Sequence, residues 1–204
     1  MDLFDAFRRP EDNLLPGDGE VNDYGLILSA AEADAAFAAL LHYIPWRPDE
    51  ALIYGRHIVT ARQTAWYGAR EFAYTYSGIP RRAMPWQQQA TLMALKSRVE
   101  AHCGAVFNSC LLNLYQNGSE GMGWHSDDES ALGRRTVIAS LSLGAARKFA
   151  FKHKRSSDKY ELMLHHGQLI VMRGETQQHW LHAVMKTTRV HEPRISLTFR
   201  QFLE

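Results

Sequence analysis

From residue 106 onward the sequence is a succession of short runs of valine, isoleucine, leucine and phenylalanine, separated by glycines and polar residues. Short, closely spaced runs of this kind are typical of a β-sandwich or a barrel. The fold class predicted is therefore α+β and mainly β, with a double-stranded β-helix (jelly-roll) core. Strands are predicted at 107–116, 135–143, 147–153, 158–164, 168–173, 180–185 and 194–202.

The predicted helices lie in the first half of the chain. Ser29 and the glutamate three residues later fit a capping box, which opens an amphipathic helix over 30–43. A second amphipathic helix is predicted over 87–102, and Gly104 is placed to end it. The acidic residues 1–23 are expected to form an irregular arm, followed directly by a short strand.

Two aromatic segments separate these helices. Strand-like pieces flank Gly55, so a hairpin or a sharply bent ribbon is expected there, with Tyr54 at its tip. Tyr54 fits either an ordinary hairpin aromatic or a wedge that unstacks a base step. Tyr74 and Tyr76 share one face of a predicted strand, where they serve either core packing or the stacking of a planar ligand.

Composition bounds the possible partners. The chain has 204 residues, which indicates one domain, and a formal net charge of +1, so a nucleic-acid partner requires a local basic patch. Cys103 and Cys110 match no disulfide framework or zinc ribbon and indicate a reducing cytosol. No signal peptide is visible, and the apolar runs are shorter than the ~20 residues of a membrane span. We expect a cytoplasmic monomer with no membrane partner.

The first chemical candidate lies in residues 124–129. His125 and Asp127 are two positions apart, so in an extended segment their side chains point to the same side and can meet on one cation. With a distant histidine they would form the 2-His-1-carboxylate triad of non-haem Fe(II) sites. The pair alone equally fits a solvated polar turn. Downstream, His182 and His179 both lie near the rim of the predicted sheet, and spacing does not choose between them.

The last predicted strand has two different faces. Ile195, Leu197 and Phe199 alternate with four polar residues, which end in an arginine on each side. On the inward face of a jelly roll, the two arginines would each need an anion, and together they could clamp a small dicarboxylate. The alternative is a strand whose polar face is turned to solvent. The polar residues are Arg194, Ser196, Thr198 and Arg200.

Over roughly residues 50–204 the chain resembles the AlkB-type Fe(II)- and 2-oxoglutarate-dependent dioxygenases, and within them the homologues that act on methylated bases. The order and spacing of the matching motifs make the resemblance specific. The motifs are 74–78 (Tyr-Thr-Tyr-Ser-Gly), 113–115 (Asn-Leu-Tyr), 124–129 (Trp-His-Ser-Asp-Asp-Glu), 138–144 (Ile-Ala-Ser-Leu-Ser-Leu-Gly), 166–169 (His-Gly-Gln-Leu), 180–182 (Trp-Leu-His) and 193–200 (Pro-Arg-Ile-Ser-Leu-Thr-Phe-Arg).

The resemblance implies a residue for each part of the cosubstrate site. The iron ligands would be His125, Asp127 and His182. The distal carboxylate of 2-oxoglutarate would be held by Arg194, Tyr115 and Asn113, and the carboxylate beside the keto group by Arg200. Ser196 stands where the family commonly has asparagine, so its contact with the cosubstrate is the one point of departure.

The resemblance also implies a base pocket. Tyr76 would stack on a flipped base, with Tyr74 and Ser77 lining the pocket. Glu129 matches an acidic position near the exocyclic amine of the base, and Tyr54 falls where relatives acting on duplexes carry an intercalating finger. The implied organisation is an N-terminal arm and helix (1–48), a nucleotide-recognition lid with its helix (49–105) and a catalytic core (106–204).

The function implied is the oxidative demethylation of N-alkylated bases in DNA, such as 1-methyladenine and 3-methylcytosine. Fe(II), 2-oxoglutarate and O2 would be consumed or bound, and formaldehyde, succinate and CO2 released. The alternatives are the same chemistry on RNA, a protein or a small molecule, and a non-catalytic binding module stabilised by metal. Some basic residues could follow the phosphates of methylated DNA or RNA; these are Arg56, Arg62, Arg81, Arg82, Lys152, Lys154, Arg155 and Lys159.

Overall fold

The computed structural model describes residues 9–53, 55–76 and 79–203. Its helices are α1 (Ala30–Tyr43), α2 (Ala90–Cys103) and α3 (Thr176–His179). The strands of the first half are β1 (Glu20–Leu26), β2 (Arg47–Ile53), β3 (Arg56–Gly68), β4 (Ala73–Tyr76), β5 (Ile79–Arg82) and β6 (Met84–Pro85). Those of the second half are β7 (Ser109–Tyr115), β8 (Met122–His125), β9 (Ile138–Gly144), β10 (Arg147–His153), β11 (Lys159–Leu164), β12 (Gln168–Arg173), β13 (Trp180–Val184) and β14 (Arg194–Arg200).

Two sheets face each other across the centre of the molecule. The large sheet has the order β1-β12-β9-β14-β7-β3-β2, with the short β6 paired to β3. The small sheet has the order β11-β10-β13-β8, and β4 pairs with β5 in a separate hairpin. This arrangement confirms the predicted mainly β, jelly-roll core. No helix within the described residues is long and apolar enough to cross a membrane.

The central strands of the large sheet are buried on both faces. On its outer face, strand residues such as Leu141, Leu197 and Phe199 join one core cluster with residues of α1 and α2. On its inner face, Ile138 and Ile170 join a second cluster with residues of the small sheet. Because side chains alternate along a strand, central strands such as β9 and β12 contribute to both layers. The strands that carry polar residues on the inner face therefore pack against an apolar core on their outer face.

Strand β14 shows this division most clearly. Ile195, Leu197 and Phe199 are fully buried on the helix side. Arg194 and Arg200, at the two ends of the opposite face, are only 1% and 7% exposed. The polar face therefore points into the molecule, and the solvent-facing alternative is wrong.

Most of the local predictions are confirmed. Ser29 caps α1 through a complete capping box, Gly104 ends α2 in the left-handed conformation, and a hairpin turns at Gly55. Three expectations need correction. The arm is not irregular throughout, because β1 begins at Glu20; α2 begins at Ala90, after a 3-10 turn; and β8 was not predicted, because two glycines in or beside it weaken the strand pattern.

Two glycines have positive φ but different surroundings, so alanine substitutions at them distinguish the cost of backbone strain from the cost of steric overlap. At Gly144 φ is +86°, and a Cβ would overlap the Pro193 carbonyl oxygen and lie 2.7 Å from the Phe37 ring of α1. At Gly174 φ is +60°, with nothing within 4 Å. We expect Gly174→Ala to lower the free energy of unfolding by about 1–2 kcal/mol. Gly144→Ala should lower the free energy of unfolding by about 1–3 kcal/mol more than Gly174→Ala does, because α1 must move. Urea unfolding measures both, and equal losses would contradict this packing.

Candidate active site

A cavity lies between the two sheets and brings together most of the polar residues singled out in the sequence. Strand β14 contributes Ser196, Thr198 and Arg200, and β7 contributes Asn113 and Tyr115. From the other side, β8, β13 and the loop after β8 contribute His125, His182, Asp127 and Glu129. The predicted cosubstrate and metal residues therefore share one cavity, apart from Arg194, which is buried and does not line it.

Strand pairing brings the first candidate triad together. His125 on β8 lies directly opposite His182 on β13, and their ring centroids are 4.2 Å apart. Asp127 follows two residues after β8 ends, with its Oδ1 3.8 Å from the His125 Nε2. The ligand atoms of all three residues lie within 4.8 Å of one another. Three such donors can hold one metal ion on one face and leave the opposite positions open.

The protonation states suit a metal ion. The Gly123 carbonyl oxygen lies 2.8 Å from the His125 Nδ1, so in the neutral imidazole this nitrogen carries the proton and the Nε2 lone pair faces the cluster. Burial, helped by the neighbouring His125, lowers the pKa of His182 to about 3, so its imidazole is neutral near pH 7. Burial alone would raise the pKa of Asp127, but Arg200 and the two histidines outweigh it and lower that pKa to about 2. Neutral imidazoles and an ionised carboxylate are the forms that bind metal.

A second cluster contains Asp18, His153 and His179. The His153 Nδ1 accepts hydrogen bonds from the backbone N–H groups of Arg155 and Ser156. The proton of a neutral His153 must therefore sit on Nε2, which faces the Asp18 carboxylate at 3.3 Å and is not free to bind a metal. The geometry thus favours His182 over His179 as the third ligand, a choice that spacing left open.

Asp127 is held from two further directions. Arg200 donates to its Oδ2 from Nη2 at 2.7 Å and from Nε at 3.2 Å, and both side chains are buried. The backbone N–H of Asp127 donates to the Oε1 of Gln177, a buried residue of α3. Sequence reasoning did not identify Gln177, because no motif signals a contact that spans 50 residues.

At the other end of β14 from Arg200, Arg194 is a buried cation with unused donors. Arg194 pairs in register with Tyr115 on β7 and donates from Nη2 to the Ser142 hydroxyl at 2.7 Å. Its Nε and Nη1 are buried and have no hydrogen-bond partner among the described residues. Burial lowers the pKa of Arg194 to about 10, with the nearby Tyr115 opposing the shift, so the group remains charged near pH 7. A buried guanidinium with two unused donors fits a carboxylate ligand.

The structure describes three of the five residues predicted for the base pocket. Glu129 lines the cavity, and its Oε2 is buried without a partner among the described residues. Tyr74 and Tyr76 lie on β4, paired in register with Arg81 and Ile79 of β5. The remaining two predicted residues, Tyr54 and Ser77, lie outside the described residues.

Two of the predicted phosphate-binding cations are engaged inside the protein. Arg62 is 8% exposed, and its guanidinium donates to the side chains of Asn113 and Asp49. Arg81 donates to the same Asp49 carboxylate at 2.5 Å. For Arg62 the surface prediction is wrong, because β3 pairs with β7 and turns this residue into the cavity.

Comparison with known proteins agrees with this geometry. Residues 24–200 match the 2OG-Fe(II) oxygenase superfamily. The chain is 34% identical over 207 residues to the mouse protein named DNA oxidative demethylase ALKBH2, covering 96% of this chain and 86% of that protein. This chain is an AlkB-type member of the 2OG-Fe(II) oxygenase superfamily. The resemblance seen in the motifs is thereby confirmed.

Other relatives of this AlkB-type dioxygenase extend the comparison. The chain is 42% identical over 181 residues to the bovine alpha-ketoglutarate-dependent dioxygenase alkB homolog 3, covering 83% of this chain. It spans only 61% of the length of that bovine protein. Among solved structures, that of OsALKBH1 superposes with a TM-score of 0.61 at 15% identity, covering 92% of this chain and 98% of the other, which supports the fold alone.

The family implies Fe(II) as the metal, 2-oxoglutarate as the cosubstrate and O2 as the oxidant. The residues present fit the metal and the cosubstrate. His125, Asp127 and His182 would hold the metal, with Asp127 ionised and His182 neutral as metal binding requires. The unused donors of Arg194 suit one carboxylate of the cosubstrate, as the sequence predicts. The individual contacts with 2-oxoglutarate stay predictions.

The two histidines three residues apart give a direct test of the metal centre. We expect His182→Ala to weaken Mn(II) binding by about 100-fold or more, since it removes a ligand rather than an outer partner. His179→Ala is the matched control and should bind Mn(II) as the wild type does. Isothermal titration calorimetry measures both affinities. Loss of binding in His179→Ala, with His182→Ala unaffected, would move the metal to the second cluster.

Proposed function

We propose that this protein is an Fe(II)- and 2-oxoglutarate-dependent demethylase of N-alkylated bases in DNA. The observation that carries the proposal is the position of Glu129, whose buried and unpartnered Oε2 lines the same cavity as the metal triad. A substrate that reaches the metal must therefore satisfy a carboxylate. The name of the ALKBH2 relative, DNA oxidative demethylase, supports DNA as the substrate.

The chemistry of Glu129 favours a cationic base. Burial is the main cause that raises the pKa of this carboxyl, and the nearby charge of Asp127 adds to it. Both effects disfavour the ionised form, and a positively charged ligand would offset both. Bases methylated at a pairing nitrogen, such as 1-methyladenine and 3-methylcytosine, carry a positive charge and an exocyclic amine. They supply both a charge and hydrogen-bond donors to Glu129.

The residues of this chain would divide the work as follows. His125, Asp127 and His182 hold the metal, and the buried arginines of β14 orient the cosubstrate. When bound, Fe(II) and 2-oxoglutarate supply oxidative hydroxylation with O2, which releases an N-methyl group as formaldehyde and leaves succinate and CO2. Glu129 orients the base, and the β4–β5 hairpin, which carries Tyr74 and Tyr76, provides aromatic residues for stacking.

The target base must leave its stack to reach a cavity between two sheets. Enzymes that modify bases act on single strands or flip the nucleotide out of the duplex. A methyl group on the pairing edge weakens pairing and lowers this cost. We therefore propose that the lesion itself favours entry, and that undamaged bases are disfavoured by intact pairing and by their lack of charge.

We also propose a cytoplasmic location. Cys103 and Cys110 are buried free thiols, and burial raises the pKa of Cys110 well above its ordinary value. Such thiols need no oxidising compartment.

The proposal predicts repair that depends on Asp127 and not on its neighbour. Protein reconstituted with Fe(II) and 2-oxoglutarate is given O2 and an oligonucleotide with 3-methylcytosine, and formaldehyde and the repaired base are read by mass spectrometry. Asp127→Ala should lose activity by at least about 100-fold, because a metal ligand is removed. Asp128→Ala, whose side chain is 61% exposed, should retain it.

Two outcomes would contradict the proposal in different ways. If 2-oxoglutarate is consumed while the methyl group stays on the DNA, the dioxygenase chemistry stands and the substrate is wrong. An RNA oligonucleotide with the same base, run in parallel, tests the alternative substrate. If no 2-oxoglutarate is consumed with either nucleic acid, the assignment of a base demethylase fails.

A further inference from the structure

Three charged residues meet at the cavity wall next to the cosubstrate site. Asp49, on β2, is 4% exposed, and its two carboxylate oxygens accept from different arginines. Oδ2 accepts from the Nη2 of Arg62 on β3, and Oδ1 accepts from the Nη2 of Arg81 on β5. The other terminal nitrogen of Arg62, Nη1, donates to the side-chain oxygen of Asn113 on β7. A relay thus runs from Asp49 through Arg62 to Asn113.

The relay decides which way the Asn113 amide faces. A guanidinium has only donors, so the group that meets Arg62 must be the amide oxygen. The amide nitrogen, with its two donors, is then directed away from Arg62 and has no hydrogen-bond partner among the described residues. Asn113 lines the cavity and pairs in register with Ser196, next to the pair of Tyr115 with Arg194. Its NH2 group is therefore available to a carboxylate that enters the cavity.

Without this constraint the amide could turn over. An Asn113 rotated by half a turn would present its oxygen to the carboxylate, and two acceptors would repel each other. Arg62 in turn needs Asp49, because a buried guanidinium held by one amide oxygen would lack a counter-charge. Asp49 therefore supplies the counter-charge that keeps the Arg62 guanidinium against Asn113.

We propose that Asp49 is a positioning residue for 2-oxoglutarate: through Arg62 it fixes the Asn113 amide with its NH2 group toward the distal carboxylate. The inference rests on the cosubstrate of the proposed function and on the predicted place of its distal carboxylate. It does not depend on which nucleic acid, or which other molecule, is oxidised.

The test compares two 2-oxo acids that differ only at the distal end. 2-Oxobutyrate has the same metal-chelating end as 2-oxoglutarate but no distal carboxylate. Dissociation constants of both are measured for the Mn(II)-loaded full chain, without nucleic acid, by calorimetry and competition. We expect Asp49→Asn to weaken the binding of 2-oxoglutarate by about tenfold, which corresponds to the loss of one hydrogen bond to a charged group. The affinity for 2-oxobutyrate should not change.

The matched control is Glu50→Gln. Glu50 is the next residue, and it pairs with His57 on the surface, so its neutralisation should change neither affinity. If Asp49→Asn weakens both acids equally, the residue acts on general stability and the inference is overturned. Unchanged binding of 2-oxoglutarate overturns it as well.

A second variant covers the case in which Asp49→Asn does not fold, as judged by thermal unfolding. Arg62→Lys keeps the cation but cannot donate to Asp49 and Asn113 in the same forked geometry. It should show the same selective loss of 2-oxoglutarate, and a loss shared by 2-oxobutyrate would overturn the inference. Because no nucleic acid enters the titration, failure here would leave the demethylase proposal standing. A selective loss in a protein that repairs no base would leave this inference standing.

Discussion

The buried ion pair between Arg200 and Asp127 connects the two halves of the jelly roll. Arg200 ends β14 in the large sheet, and Asp127 lies just after β8 in the small sheet, so the pair spans the cavity between them. Both side chains are almost fully buried, and removal of Arg200 would leave the Asp127 carboxylate without its main counter-charge. The pair also keeps Asp127 ionised, which is the form that a metal ligand needs. Sheet assembly and metal-site assembly therefore depend on the same contact.

The apolar layers make this polar interior possible. The outer face of the large sheet packs on α1 and α2, so the strands that carry Arg194, Asn113 and Ser196 are held by a dry core behind them. Strand residues have less freedom than loop residues, and functional groups placed on them keep their geometry before the ligand binds. The unused donors of Arg194 therefore destabilise the free protein, and hydrogen bonds to a bound anion would remove this penalty.

The sequence predicted the parts of the site that local pattern encodes. The alternation of β14 placed Arg194 and Arg200 on one face, and the spacing of His125 and Asp127 placed both on one side of a short segment. Local pattern does not encode strand partners. The choice of His182 over His179 required the pairing of β13 with β8 and the tautomer of His153. The roles of Arg62 and Gln177 required contacts with residues about 50 positions away, which a single sequence does not show.

A crystal structure of the protein grown with Mn(II) and 2-oxoglutarate tests the metal site and the cosubstrate site most directly. The metal would be located by its anomalous scattering. We expect an anomalous peak bound by His125, Asp127 and His182, and a carboxylate of 2-oxoglutarate against the Nε and Nη1 atoms of Arg194. A peak at the cluster of Asp18, His153 and His179 instead, or an Arg194 whose Nε and Nη1 contact no carboxylate, would contradict this assignment.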